Sequence, residues 1–296
     1  MHRTLMGLGL AFCTIFCARA TEVGIGFTSV RDGGRNSCHM PGVTVTNCVI
    51  SDCLPRPLGS NGVLLLAFDD RNFADWERAL PLFAKYNAHA SFFISGDFDS
   101  QAVMTSKKLM AAGHTIGLHG QCHANVPEAI VKWGKSGWWD REVATAKRKA
   151  DVAYVPIRSF AYPNNRHDDP TDAYLLTRFE RLRAGIRGVR PHDPRGEHLA
   201  ELKPLAPDDR LFFPAVDLPK RRVMCGIILG ENYHTDIEDV ARCIRRAGER
   251  KEVLLFTSHG ISPNAKGINM KTEWLERILA EAKAADVQVL GFDELP

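Results

Sequence analysis

Val63-Leu64-Leu65-Leu66-Ala67-Phe68-Asp69-Asp70 is an unbroken apolar run closed by two adjacent carboxylates. The run is too short for a helix and suits a strand buried on both faces, as parallel sheets require. Two neighbouring carboxylates repel each other when both are ionised, so a cation or hydrogen-bond donors must compensate them. The competing reading is that Asp69 or Asp70 merely caps the helix that follows.

Further along, Gly113-His114-Thr115-Ile116-Gly117-Leu118-His119-Gly120-Gln121-Cys122-His123 places two histidines four residues apart. Alone, such a pair is equally a surface pair or two core side chains. Beside an Asp-Asp strand end it reads as a metal site, because imidazole and carboxylate are ligands that a borderline divalent ion such as zinc prefers. Three protein ligands leave one coordination position for water, which is the arrangement of catalytic sites.

Outward from this centre the chain alternates strand and helix. Strands are expected at 63–70, 89–95, 114–118, 158–162, 224–229, 253–257 and 288–292, with helices at 73–86, 101–112, 140–154, 236–251 and 272–285. Such alternation implies parallel strands with helical crossovers. Periodicity does not choose between an open sheet and a closed barrel. The candidate residues favour the barrel, because they fall at the C-terminal ends of several separate strands. The section from Pro191 to Pro219 is Pro-rich and less regular.

The 296 residues, 45% of them hydrophobic, suit one large α/β domain with an appendage. A net charge of +3 gives no signal for nucleic acid or for attraction to a membrane surface. Residues 1–20 run from Met1-His2-Arg3 through an apolar stretch to Ala18-Arg19-Ala20, the layout of a secretory signal peptide cleaved near Ala20. A secreted or periplasmic protein with no membrane span is therefore expected. Residues 21–60 are rich in Gly, Pro, Asn and Ser and read as an irregular extension, leaving 61–296 as the main domain. Export makes disulfides plausible, with Cys38, Cys48 and Cys53 the expected participants. Oligomeric state is not legible.

In their order, these motifs resemble the polysaccharide deacetylase family, carbohydrate esterase family 4, with its NodB homology domain. Ala67-Phe68-Asp69-Asp70 is similar to the family's Thr-Phe-Asp-Asp, and His119 to His123 to its His-Ser/Thr-x-x-His. Ser159-Phe160-Ala161-Tyr162-Pro163-Asn164-Asn165 resembles the third motif in its Phe-Ala-Tyr-Pro form, and Leu254-Leu255-Phe256-Thr257-Ser258-His259 the late strand with the final histidine. The resemblance covers about residues 61 to 296. It implies an irregular (β/α) barrel of about seven parallel strands, and a metal-dependent hydrolase removing N-acetyl groups from an amino-sugar polysaccharide or oligosaccharide.

The resemblance also implies roles. Asp70, His119 and His123 would hold a divalent ion, zinc first, with cobalt, nickel or manganese as alternatives. Asp69 would be the general base, His259 would protonate the leaving nitrogen, and the backbone N–H of Asn164 would be an oxyanion donor. Tyr162, Trp138 and Trp139 are candidates for contact with the sugar. Trp133, Trp138 and Trp139 suit sugar stacking and packing of the barrel edge equally well. Trp76 and Trp274 fall at helix spacing and read as core.

The chain departs from the family pattern in places. Ala161 stands where many members carry an arginine that orients the base, and Arg158 or Arg166 is the expected substitute. Asn164 replaces a tyrosine, and Asn165 replaces a glycine, a mild change because Asn tolerates a left-handed backbone. Gly120 replaces the hydroxyl residue that braces the metal loop, so a looser loop is expected. Cys122 reads as a small buried residue rather than a fourth ligand. Two other functions compete: hydrolysis of another amide or an O-acetyl ester on the same barrel, and carbohydrate binding without turnover.

Overall fold

The computed structural model describes residues 28–29, 38–40, 43–45, 61–185, 211–233 and 236–296. The expected signal peptide lies outside the described residues, and so does the expected disulfide cluster: Cys48 and Cys53 are not described, and Cys38 is described by its backbone alone. The chain divides into two compact units, 1–54 and 55–296. In the first, strands β1 (Thr28–Ser29), β2 (Cys38–Met40) and β3 (Val43–Val45) form an antiparallel sheet.

The second unit is built on a closed ring of seven parallel strands. These are β4 (Val63–Asp70), β5 (Ser91–Ile94), β6 (Thr115–Leu118), β7 (Ser159–Ala161), β8 (Arg181–Gly185), β10 (Val223–Ile228) and β11 (Glu252–Ser258). They pair in that order, and β11 returns to β4. The short β9 (Phe213–Pro214) joins β11 antiparallel, from within the section that the sequence reading left irregular. Strands β12 (Ile261–Ser262) and β13 (Met270–Lys271) pair with each other beyond β11.

The barrel is irregular beside β4. Its first three residues pair with β14 (Gln288–Leu290), and only its last four pair with β5. β14 thus fills the gap that opens between β4 and β5 at the N-terminal end of the barrel.

Burial on both faces explains the apolar run in β4. Val63, Leu65 and Ala67 join Phe93, Ala161, Met224, Val253 and Leu255 in one core, and Leu64, Leu66 and Phe68 join a second, larger one. Successive strand side chains point to opposite faces, so the first set fills the barrel and the second meets the helices. Helix α1 (Phe73–Lys85) supplies Phe73, Trp76, Ala79 and Phe83 to that outer layer, spaced as one helical face.

The helical layer continues with α2 (Ser100–Ala111), α3 (Val126–Trp139), α4 (Thr145–Val152), α5 (Asp169–Leu175), α6 (Ile237–Arg250) and α7 (Thr272–Ala284). Two of these were not expected. The tryptophan-bearing segment is α3, started by Pro127 and by the Asn125 side chain, which accepts from Glu128 N, and kinked at Gly134 (φ 72°). Its glycines disguised it as a loop. α5 is one of the short elements that periodicity resolves poorly, and β8, whose two arginines alternate with Leu182 and Ala184, is another. A π-helical turn, Asp140–Ala144, joins α3 to α4.

Candidate active site

Asp69 and Asp70 end β4, His119 directly follows β6, Asn164 and Asn165 follow β7, and His259 directly follows β11. All therefore stand at the C-terminal end of the barrel, where the connecting loops meet. Asp69 continues the inward set of β4, while Asp70 would point away. Its left-handed backbone, φ 78°, breaks the alternation and lets both carboxylates reach one site. His123 is likewise left-handed, at φ 56°.

One ligand atom each from Asp70, His119 and His123 lies within 4.8 Å of the others. The His119 Nδ1–H donates to Ala161 O at 2.9 Å, which fixes the tautomer and leaves Nε2 as the free lone pair. That Nε2 is 3.2 Å from His123 Nε2, and His123 Nε2 is 4.0 Å from Asp70 Oδ1. Two imidazole nitrogens aimed at each other beside a carboxylate are the donor set of a divalent ion. The residues fit such an ion. Burial, the largest influence, pushes His119 down to about 4, and the Asp69 carboxylate only partly offsets it, so the imidazole is neutral and able to ligate.

Asp69 is buried and does not belong to this triad. Its Oδ2 accepts a hydrogen bond from Arg183 Nη2, whereas Oδ1 is buried with no hydrogen-bond partner among the described residues. Burial opposes ionisation, but the guanidinium of Arg183 leads the charges that outweigh it and hold the carboxyl below its usual range. Arg183, 0% exposed, donates with Nη1 to Asn165 Oδ1 and lies 5.7 Å from the centre of the Phe93 ring. Arg158 and Arg166, the substitutes expected from sequence, do not reach this carboxylate. Arg158 is exposed at 3.9 Å from Glu180, and Arg166 is exposed. Arg183 carried no sequence signal beyond being an arginine inside a short apolar strand, and that strand itself was not expected.

His259 is mostly buried, its Nδ1–H donating to Ile268 O at 3.2 Å and its Nε2 standing 3.7 Å from Asp70 Oδ2. Trp76, in the core as expected, holds the same residue through Nε1–H to His259 O, 2.8 Å. Asn164 is exposed at φ 55°, and Asn165 follows at φ 57°.

The metal loop is braced, contrary to the looser loop expected from Gly120. The π-helical turn directs Glu142 inward, where its Oε2 accepts from Cys122 N at 2.9 Å and its backbone oxygen from Gln121 N at 2.9 Å. A Cβ at residue 120 would sit 2.9 Å from that Oε2, on a backbone with φ of +78°, so glycine fits there without strain and a larger residue would press on Glu142. Cys122 itself is exposed rather than buried.

Three candidates for sugar contact are corrected. Tyr162 is fully buried, its OH donating to Asp172 Oδ1 at 2.7 Å. Trp138 is 0% exposed and packs edge-on against Phe160 and Tyr174. Trp139 packs against Phe179 and lies under Arg178. Tyr162 and Trp138 are scaffold, and Trp139 is half-buried against Phe179, because α3 turns its apolar side to the barrel while the Tyr162 ring packs beneath the turn after β7.

Residues 59–177 match the family model described as polysaccharide deacetylase, a stretch that contains the Asp-Asp, His119–His123 and Phe160–Asn165 motifs. Over that stretch the chain is similar to polysaccharide deacetylases. Among solved structures, the pseudoenzyme BA3943 of family CE4 from Bacillus anthracis shares the fold, at 14% identity and a TM-score of 0.50 over 81% of this chain and 66% of that one. A BA3943 mutant with restored enzymatic activity aligns at 14% identity and a TM-score of 0.50, over 81% and 68%. The peptidoglycan deacetylase PdaC from Bacillus subtilis aligns at 16% identity and a TM-score of 0.46, over 78% of this chain and 88% of that one. No curated protein matches by sequence. Arg183 and His259 lie beyond the matched stretch, so their place in the candidate site rests on the geometry.

Proposed function

We propose that this protein is a metal-dependent hydrolase that removes N-acetyl groups from an amino-sugar polysaccharide or oligosaccharide outside the cytoplasm. The observation that carries the reading is the division of labour between neighbours. Asp70 faces His119 and His123, whereas Asp69 is held by Arg183 with one buried oxygen unpartnered. A divalent ion on Asp70, His119 and His123 would supply a Lewis acid that lowers the pKa of water and polarises the acetyl carbonyl. Zinc suits this donor set best.

The chain's own residues supply the rest. Asp69 takes a proton from water at Oδ1 while Arg183 fixes its other oxygen. His259, with Nδ1 engaged by Ile268, has Nε2 toward the site to protonate the departing amine. The exposed turn at Asn164 offers its backbone N–H to the oxyanion. Export rests on the signal-like residues 1–20. Among the described residues no helix is long and apolar enough to cross a membrane.

The test is acetate release from chitin oligomers, peptidoglycan and poly-N-acetylglucosamine, with and without a chelator, and with acetylxylan alongside. Chelator-sensitive release from an N-acetylated glycan is expected. Release from acetylxylan alone would make the protein an O-acetyl esterase, and release from none would leave a carbohydrate-binding role.

A further inference from the structure

Arg183 is fully buried, and its nitrogens are not used alike. Nη2 donates to Asp69 Oδ2, Nη1 donates to Asn165 Oδ1, and Nε has no hydrogen-bond partner among the described residues. A guanidinium presents its donors in a rigid planar fork, so two partners on its two Nη atoms fix where each stands relative to the other. Here one partner is the proposed base. The other belongs to the turn Pro163–Asn165, which carries the proposed oxyanion donor, Asn164.

The surroundings of the turn make room for this contact. Before the turn, Tyr162 N donates to Arg183 O at 2.9 Å, and after it His167 Nε2–H donates to Gly185 O at 3.1 Å while Nδ1–H donates to Asp172 Oδ2 at 2.9 Å. Both flanks are thus tied to β8. Between them the Asn165 side chain lies against Gly185, where a Cβ would come 2.6 Å from Asn165 Cβ. Only a glycine at 185 lets that side chain pass between turn and strand to the guanidinium.

We propose that Asn165 is a positioning residue: by accepting from Arg183 Nη1 it locks the guanidinium to the turn, so that Asp69 and the Asn164 N–H are held at one fixed spacing. This rests on the hydrolase reading above. Without Oδ1 the guanidinium keeps a single partner and swings about Asp69, and small misplacements of reacting groups are costly in rate. From sequence, Asn165 is a tolerated replacement for a glycine; in the fold its side chain joins the base to the oxyanion turn.

The test pairs turnover with a signature that needs none. Asn165→Gly removes the acceptor and spares the backbone, since glycine adopts the φ of 57° freely. On the metal-loaded full-length protein with the N-acetylglucosamine tetramer, kcat should fall about 10- to 100-fold while KM and metal content stay unchanged. Asn165→Asp keeps an acceptor oxygen in place and should recover most of the loss. In nitrogen NMR spectra of the metal-free protein, a guanidinium held at both Nη atoms rotates slowly and gives separate Nη signals, assigned to Arg183 by their absence in Arg183→Lys. They should coalesce in Asn165→Gly and persist in Asn165→Asp. Gly185→Ala should reproduce the kcat loss by pushing on the Asn165 side chain, and should add nothing to Asn165→Gly, where the colliding Cβ is gone. If Asn165→Gly does not fold, Gly185→Ala decides. Wild-type kcat or unchanged Arg183 signals in the deciding variant overturns the proposal, as does a raised KM at unchanged kcat, which would make Asn165 a contact for substrate. A wild-type protein that releases no acetate would overturn the hydrolysis, while the Arg183 signals would still decide the role of Asn165.

Discussion

Ala161 on β7 and Arg183 on β8 are cross-strand partners in the same register, and both side chains point into the barrel. An arginine thus stands one strand over from the position where the family resemblance would place it, and it reaches Asp69 from there. Removing it would leave Asp69 as an uncompensated buried charge, which costs about 3–5 kcal/mol for a buried pair. Arg183→Ala should accordingly melt well below the wild type and lose acetate release, and adding Ala161→Arg should restore a measurable part of both. Melting curves and acetate assays on the two variants check this; wild-type turnover in Arg183→Ala would refute the relationship.

Asp69 and Asp70 should separate experimentally. Asp69→Asn is expected to retain one metal ion per chain while turnover falls by about two to four orders of magnitude, the range for losing general acid-base help. Asp70→Asn should lose the metal instead, as should the double variant His119→Ala, His123→Ala. Metal content measured beside acetate release distinguishes the roles, and loss of metal from Asp69→Asn alone would reverse the assignment.

Glu142 predicts a metal phenotype for a residue that is not a ligand. Glu142→Ala removes the acceptor that holds Cys122 N and should weaken metal binding about 10- to 100-fold, as for other residues that orient ligands. Gly120→Ser should do the same through its left-handed backbone and its collision with Glu142. Competition titration against a zinc chelator measures both effects, and unchanged affinity in Glu142→Ala would remove the brace.

His167 and Asp172 form a second buried pair at 2.9 Å, behind the turn that carries Asn164. Burial alone would lower the imidazole pKa, but Asp172 outweighs it and raises His167 from 6.5 to about 9. The pKa is raised in the folded state, so the stabilisation is complete below about pH 6.5 and disappears as pH rises through about 9. The full contribution is on the order of 3 kcal/mol. His167→Gln should be less stable than the wild type at pH 6, with the gap closing toward pH 10. A constant gap in denaturant midpoints across that range would contradict the pair.

Trp138→Ala should cost about 3–5 kcal/mol of stability, as for other buried aromatics, because the indole is core. Its KM for glycans should stay near the wild-type value in whatever fraction folds. A raised KM with unchanged melting would return Trp138 to the substrate surface.

The order of the motifs and the alternation of strand and helix were legible because they are local. The buried run at 63–68 needs no partner to announce a parallel strand, and candidate carboxylate and imidazole ligands follow from residue type and spacing. Arg183 and Glu142 were not legible as parts of the site, because each matters through what it faces in the folded barrel. Arg183 reaches Asp69 from a strand more than a hundred residues away, across a sheet closure that brings β8 beside β7. Glu142 reaches the metal loop because a π-helical turn redirects one side chain. The packing of Trp138 and Trp139 was hidden for the same reason. Their periodicity gives a helical face, but only packing decides which face is covered by the barrel and which is left open.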